Sequence, residues 1–210
     1  MTPPSKEVAP KAVAAAPAVL EVPAYRLVPD VLGEHTSVLF CGINPGLTSG
    51  LTGHHFARPG NRFWKALALG GLVERVLEPS EERELLAYGI GITNLVSRVT
   101  ATAKEISAAE LAEGVELLRE KVAQVGPKVL AVLGLGAWRS AVDKRADLGR
   151  QPEPFAGAAV YVLPNPSGLQ ARYQLPELGA FFAEVRLARD EPAGGADRRH
   201  PRPPKHSSAG

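Results

Sequence analysis

Two turns that follow apolar runs hold the side chains in this sequence best suited to chemistry. The first turn, Asn44-Pro45-Gly46, ends the run SVLFCGI, and the second, NPSG, ends the run AVYVLP. An asparagine side chain can orient a water molecule through its carbonyl oxygen, but its amide is a poor general base. Neither turn has beside it a Cys–His nucleophile pair, an HExxH motif, a Walker-type GxxxxGK[ST] motif or a close pair of acids. The turns therefore suit a reaction in which the leaving group departs early and water then adds.

Four apolar runs are predicted to be the strands that position these turns. They are rich in β-branched and aromatic residues, and turn formers end them. Helical segments separate them, which is the connection that parallel strands need. The predicted fold class is α/β, a three-layer α/β/α arrangement with a central, mostly parallel four-stranded sheet. The carboxyl ends of such strands share one sheet edge, where a cleft is expected. The runs cover residues 37–43, 89–96, 128–134 and 159–163.

The helices between the strands are predicted from their caps and their apolar spacing. Asn61 can cap one helix, and Ser80 resembles the N-cap of another, followed by acidic residues that favour the helix dipole. Apolar residues at three- and four-residue spacing predict a long amphipathic helix that begins at Ser107. The predicted helices cover residues 62–69, 80–89 and 107–125, a short turn around Trp138, and residues 176–189.

Composition predicts one globular domain with two unstructured ends. Residues 1–24 are rich in Pro and Ala, and residues 190–210 are rich in Gly, Pro and Arg, so neither end can bury enough apolar surface to offset the entropy of ordering. The domain is expected to cover residues 25–189. A formal net charge of +2 permits a polyanionic partner but does not demand one.

The single cysteine, Cys41, lies inside the first apolar run, which excludes an internal disulfide framework and a cysteine-ligated metal. A buried thiol in a reducing compartment is the expectation, so the protein is predicted to be cytoplasmic or nuclear and not secreted. No apolar run reaches the roughly 18 residues of a membrane span. His54 and His55 lack further ligands at a familiar spacing, and neither a metal nor another cofactor is predicted.

Three separated motifs, in order, carry a resemblance to a known family. GINPGLTSGLTGHHFARPGNRFW, GITNLVSRVTATAKEIS and LPNPSGL resemble the mismatch-specific uracil-DNA glycosylase and thymine-DNA glycosylase family, over about residues 37–185. The resemblance implies a uracil-DNA-glycosylase-like fold and activity on double-stranded DNA with G·U or related mismatches. Acting on DNA needs only a monomer, which is the expected state. It further implies base flipping and hydrolysis of the N-glycosidic bond of uracil, with thymine and modified cytosines as further candidate bases.

The resemblance also implies roles for single residues. Asn44 matches the catalytic asparagine that positions water, and Phe56 matches the aromatic that stacks on the extruded base. The backbone amides of Ile43 and Phe56 would contact the pyrimidine carbonyls. Other base-binding positions are His55, Asn61 and Asn94. Leu169 matches a wedge that enters the duplex, and its neighbours Ser167, Gly168 and Gln170 belong to the loop that meets the widowed guanine.

Several of these residues have a plain structural alternative. Asn44 could only form a turn, Phe56 could be core, Asn61 could cap a helix, and Asn94 could satisfy a strand end. Leu169 could be an ordinary hydrophobic anchor. Four basic residues are expected to contact DNA phosphates, with the alternative that they are simply solvated surface charges: Arg58, Arg62, Lys65 and Arg172.

Two other functions compete with the glycosylase. One is a DNA-binding module that recognises mismatches or modified bases without cutting. The other is a small-molecule α/β enzyme in which a Gly-rich turn, such as GLG at residues 134–136, holds a nucleotide phosphate. That turn is more often a packing device.

Overall fold

The central sheet consists of four short, largely buried strands, whose side chains alternate between its two faces, and a two-residue edge strand. A computed structural model describes residues 24–168 and 172–192. Within the described ranges the strands are β1 (Val38–Gly42), β2 (Ile90–Asn94), β3 (Val129–Leu133), β4 (Gly149–Arg150) and β5 (Ala159–Leu163). The strand order is β2-β1-β3-β5-β4, in which β2, β1, β3 and β5 are parallel and β4 is antiparallel to β5.

The α/β class and the four parallel strands are confirmed, but the predicted number of strands is one too low. The additional strand, β4, is two residues long and pairs with Tyr161 and Val162 at the sheet edge. A two-residue segment is too short to show an apolar periodicity. It is a strand only because it pairs with β5.

Helices cover both faces of the sheet and give the predicted three layers. Successive residues of β1, such as Leu39 and Phe40, enter different cores because successive side chains of a strand point to opposite faces. In the described part of the chain the α-helices are α1 (Leu47–Thr52), α2 (Phe63–Leu69), α3 (Ala108–Val125), α4 (Leu135–Ala141) and α5 (Leu175–Asp190). Helices α2 and α5 pack together on one face, and α3 and α4 lie on the other.

Two local predictions need correction. The helix predicted at residues 80–89 exists, but it is a 3-10 helix, Pro79–Tyr88, and its N-cap is Glu78 rather than Ser80. A short helix, α1, follows the Asn44-Pro45-Gly46 turn directly, where the sequence predicts no helix. Glycines enclose α1 at both ends, and six residues are too few to establish a helical period.

The predicted arm and tail lie almost wholly outside the described residues, which begin at residue 24 and end at residue 192. In the part of the chain that the structure covers, no helix combines the length and the apolar character that crossing a membrane requires.

Candidate active site

A cleft of about 690 Å³ lies at the carboxyl edge of the sheet, where the polar ends of β1, β2 and β5 meet. Asn44 follows β1, Asn94 ends β2, and Asn165 and Ser167 follow β5, and all four line the cleft. This is the edge at which parallel sheets expose the ends of their strands. The two turns predicted to face each other are therefore brought together.

Asn44 is held at this edge through its side-chain amide nitrogen. Its Nδ2 donates to the Thr100 hydroxyl at 2.7 Å and to the Pro45 carbonyl at 2.9 Å. The Thr100 hydroxyl in turn donates to the Thr102 carbonyl at 2.8 Å, so it accepts from Asn44. These contacts place the amide nitrogen of Asn44 toward Thr100 and Pro45. The amide oxygen, Oδ1, therefore points away from Thr100 and remains an acceptor.

Phe56 both packs on the core and lines the cleft. Its ring stacks on Phe63 with centroids 4.1 Å apart, while Phe56 is half-buried and borders the cleft. Its φ is +52°, a left-handed conformation that bulky residues rarely adopt. The two readings of Phe56 left open by the sequence are thus compatible, because one ring can contact the core on one side and the cleft on the other.

His55 is buried beside the cleft between two carboxylate-bearing segments. Its backbone N–H donates to the Glu82 carboxylate at 2.8 Å, and the other Glu82 oxygen lies 3.0 Å from His54 Nδ1. Burial lowers the pKa of His55, and this effect outweighs the opposing influence of the Glu82 and Asp30 charges. The ring is therefore neutral at neutral pH, and its contacts reach Asn94 and Pro29.

Asn61 contacts the start of α2, and Arg62 joins the loop after β1 to the loop after β5. Asn61 Oδ1 accepts the Phe63 N–H at 3.0 Å, so the predicted contact at the start of α2 exists, although Arg62 is the N-cap residue. The Arg62 guanidinium, predicted to meet phosphates, donates instead to backbone carbonyls of the second loop. Its carbonyl partners are Pro166, Ser167 and Tyr173.

The remaining predicted residues take different positions. Ile43 lines the cleft. In the GLG turn, Gly134 has a φ of +137°, and a Cβ there would lie 3.0 Å from the Ile43 side chain, so both the backbone conformation and the space favour glycine. Gly168 approaches the first loop so closely that a Cβ there would be 2.7 Å from the Gly60 carbonyl oxygen. Leu169 and Gln170 lie outside the described residues.

Basic side chains stand around the cleft with different surroundings. Arg58 and Lys104 are exposed and line it, and Lys65 is exposed on α2. Arg172 lies over the Tyr173 ring at 5.5 Å. Among the described residues, no three His, Cys, Asp or Glu side chains are grouped so as to hold a metal ion.

Comparison with known proteins identifies the family of this site. The model of the uracil DNA glycosylase superfamily matches residues 29–186, which include both loops of the cleft. The chain belongs to the uracil DNA glycosylase superfamily. Membership supports a DNA glycosylase activity, the hydrolysis of an N-glycosyl bond, and a DNA substrate.

The superfamily fold is also found in a solved structure to which this chain is similar. The solution NMR structure of a candidate uracil DNA glycosylase from Methanosarcina acetivorans matches with a TM-score of 0.53 and 22% identity. The match covers 77% of this chain and 98% of that one. At 22% identity the comparison shows a shared fold and nothing more. That fold is the uracil-DNA-glycosylase-like α/β arrangement predicted from the sequence.

Three residues of this glycosylase-superfamily site were not predicted. Thr100 orients Asn44, Glu82 holds both histidines, and Pro29 contacts His55. Glu82 was interpreted only as an acid at a helix start, yet it is 6% exposed. The sequence did contain a signal for Thr100, because it is a hydroxyl residue shortly after the second strand. The residues around Thr100 do not indicate, however, which asparagine it contacts.

Proposed function

We propose that this protein is a monofunctional, mismatch-directed uracil-DNA glycosylase. It would extrude uracil from a G·U pair in double-stranded DNA, hydrolyse the N-glycosidic bond and so initiate base excision repair. Thymine and modified cytosines are further candidate bases. The protein would act as a monomer, in the nucleoid of a bacterium or the nucleus of a eukaryote.

The observation that carries the proposal is the fixed amide of Asn44 in a cleft that also contains an aromatic ring and a second amide. Because Thr100 and Pro45 take the Asn44 N–H groups, Oδ1 is available to orient a water molecule. Phe56 offers a stacking surface, and Asn94 a hydrogen-bonding edge, in the same cleft. This combination fits a flipped pyrimidine with a water beside its sugar.

The chemistry follows from charge. Breaking the glycosidic bond develops positive charge on the sugar and negative charge on the departing uracil. Preorganised backbone donors, for which we propose the amides of Ile43 and Phe56, would stabilise that anion. Asn44 carries no charge and cannot stabilise the cation as a carboxylate could. We therefore expect a slow enzyme.

Selectivity would rest on how easily the base leaves the duplex. Extrusion costs a few kcal/mol and is easiest for a mismatched pair. We propose that Leu169 fills the vacated space as an apolar wedge. Ser167, Gly168 and Gln170 would contact the widowed guanine, and His55 and Asn61 would line the base pocket.

Asn44→Ala tests the proposal directly. We expect release of uracil from a G·U duplex to fall by roughly 100-fold or more, because the water loses its orienting group, while duplex binding is largely kept. The matched control is Gln151→Ala, since Gln151 is an amide that also donates to two carbonyls, Asp147 and Gly149, but does not line the cleft. Unchanged release by Asn44→Ala would overturn the assignment.

A panel of substrates separates this function from its rivals. Base release is measured on G·U, A·U and G·T duplexes and on single-stranded uracil, with faster release from G·U than from A·U expected. Binding without release from any of them would favour a mismatch-binding module. Affinity for a DNA duplex falls steeply as salt increases. If the protein instead binds a free nucleotide with an affinity that does not depend on salt, the small-molecule enzyme is favoured.

A further inference from the structure

Arg62 forms a tether between two loops beside the cleft. The loop after β5 covers residues 164–174, of which residues 164–168 and 172–174 are described. The Arg62 guanidinium donates from Nη2 to the Ser167 carbonyl at 3.0 Å and from Nε to the Pro166 carbonyl at 3.4 Å. Its Nη1 donates to the Tyr173 carbonyl, on the other flank of the same loop. One side chain therefore holds both flanks of the loop after β5.

The backbone from which this side chain extends is itself fixed. Arg62 is the N-cap residue of α2, and the two residues that follow it, Phe63 and Trp64, are buried. The backbone N–H of Arg62 also donates to the Pro166 carbonyl, at 3.0 Å. Arg62 therefore contacts the loop after β5 from the start of a packed helix, with its main chain as well as its side chain.

Two further contacts hold the first flank of this loop. A Cβ on Gly168 would lie 2.7 Å from the Gly60 carbonyl oxygen, so the backbones of the two loops approach each other closely. Within the loop, Asn165 Oδ1 accepts the Ser167 N–H at 2.9 Å. The N–H and the carbonyl of Ser167 are thus held by two different side chains, which fixes the backbone direction on this flank.

The contacts of Arg62 depend on the shape of its head group and not only on its charge. A guanidinium is planar and presents five N–H donors in a fixed fork, whereas an ammonium is a compact charge on a flexible stem. The fork allows one residue to donate to carbonyls on both flanks at the same time. A lysine at this position would keep the charge but not this geometry.

We infer that Arg62 is a positioning residue that makes the loop after β5 a preformed wall of the cleft, so that this loop is already ordered when DNA binds. Asn165 and Ser167 of this loop line the cleft. The inference rests on the proposed glycosylase function and assigns Arg62 to base extrusion rather than to bond cleavage. A loop that is ordered beforehand does not lose conformational entropy on the duplex. This advantage is greatest where a base pair has to be opened.

Two duplexes separate base extrusion from bond cleavage. One carries uracil opposite guanine, and the other carries uracil opposite an abasic-site analogue, where no base pair has to be opened. Uracil release is measured with the enzyme below saturation, and the readout is the rate constant on the first duplex divided by that on the second. Arg62→Ala is expected to lower this ratio by about tenfold or more, because a loop without its tether impairs extrusion and leaves cleavage largely intact.

Arg62→Lys and Arg75→Ala are the matched controls. Arg62→Lys keeps the positive charge but loses the fork, so the ratio should be as low as in Arg62→Ala. Arg75 is bound to Glu81 and Glu84 and does not line the cleft, so Arg75→Ala should leave the ratio unchanged. A wild-type ratio in Arg62→Lys would assign the effect to the charge of the residue and would overturn the inference.

Hydrogen exchange measures the tether itself, without DNA. The amides of residues 165–168 and 172–174 should exchange at least about tenfold faster in Arg62→Ala than in the wild type, while those of β5 and the middle of α5 stay unchanged. Equal exchange in the two proteins would show that the loop is ordered without Arg62 and would overturn the inference.

The outcomes separate the inference from the proposed function. If the wild type releases uracil from neither duplex, the proposed function fails, and the role of Arg62 in extrusion fails with it. If the wild type releases uracil from both and Arg62→Ala slows the two equally, only the inference is overturned. Should Arg62→Ala not fold, 15N relaxation of the wild type decides. An order parameter of about 0.85 for the Ser167 amide supports the tether, and one below about 0.6 contradicts it.

Discussion

At the residue scale, the site depends on neutral amides whose orientation is set by their neighbours. Thr100 takes an N–H of Asn44, and His55 takes one of Asn94. An amide has a donor end and an acceptor end, so its use in recognition requires that one end be occupied. In the described structure, Thr100 and His55 each occupy one end of such an amide.

The lowered pKa of His55 has a consequence for stability. The unfolded chain binds a proton near the ordinary value of 6.5, whereas the folded chain binds it only at lower pH. Between these two pKa values the unfolded state holds more protons, so the free energy of unfolding decreases as pH falls below about 6.5. We expect wild type to lose more stability than His55→Gln between about pH 7 and about pH 5, because Gln does not titrate. Urea unfolding at several pH values measures this, and equal losses would contradict it.

Cys41 provides a second test at this scale. Burial in β1 raises the pKa of its thiol to about 12, and the side chain is fully buried. Because the thiolate is the reactive form, we expect no labelling by a thiol reagent at neutral pH in the folded protein. In denaturant, one thiol per chain should react, since Cys41 is the single cysteine. Rapid labelling of the folded protein would show that β1 is accessible.

At the scale of elements, the segment between β2 and α3 carries Thr100 to Asn44 and is held by the start of α3. Arg98 forms a bidentate pair with Glu110 at 2.8 and 3.2 Å, and this pair, with bonds from Ser107, lowers the pKa of Glu110 to about 2. Glu110 also completes the capping box of α3 with Ser107. The start of one helix thus anchors the segment that orients the catalytic candidate.

The packing of α3 on the end of β2 predicts the effect of a small substitution. A Cβ on Gly114 would lie 2.2 Å from the Leu95 backbone oxygen, one residue beyond Asn94. Gly114→Ala should therefore push the helix away and destabilise the protein by roughly 1–3 kcal/mol, despite the better helix propensity of alanine.

Gly136→Ala is the matched control for that substitution. It lies in α4 with no atom within 4 Å of its added Cβ, so it should be neutral or stabilising by up to about 1 kcal/mol. Chemical denaturation compares the two variants. Equal effects would show that Gly114 is not a required close contact.

At the scale of the whole molecule, a basic C-terminal segment accompanies a domain of nearly balanced charge. Residues 193–210 contain four Lys and Arg side chains, Arg198, Arg199, Arg202 and Lys205. Phosphate contacts by such residues release counterions, so binding that uses them depends strongly on salt.

Removal of residues 193–210 tests whether the segment contributes to DNA binding. We expect duplex affinity to fall at low salt and the slope of log affinity against log salt to become shallower by about 1 or more. Thermal unfolding of both forms serves as the control for folding. An unchanged slope would assign DNA contact to the described domain alone.

Local patterns in the sequence determined the parallel sheet, its strand ends and the convergence of the two asparagine turns. Strand periodicity and turn chemistry act between near neighbours, so the pattern around Asn44 or Asn94 is visible in the chain itself. In a parallel sheet all carboxyl ends share an edge, which brings the two loops together without further information. The start of α2 was foreseeable for the same reason, because Asn61 contacts a residue two positions away.

Only the tertiary structure decided which distant partners complete the site. Asn44 meets Thr100 across 56 positions, and His55 meets Glu82 across 27. Arg62, a plausible phosphate ligand by type, turns to carbonyls more than 100 positions away. The edge strand β4 likewise exists only through pairing with β5. Hydrogen bonds across such separations depend on how elements pack, and no local spacing encodes that packing, so the sequence indicated the two amides but not the groups that orient them.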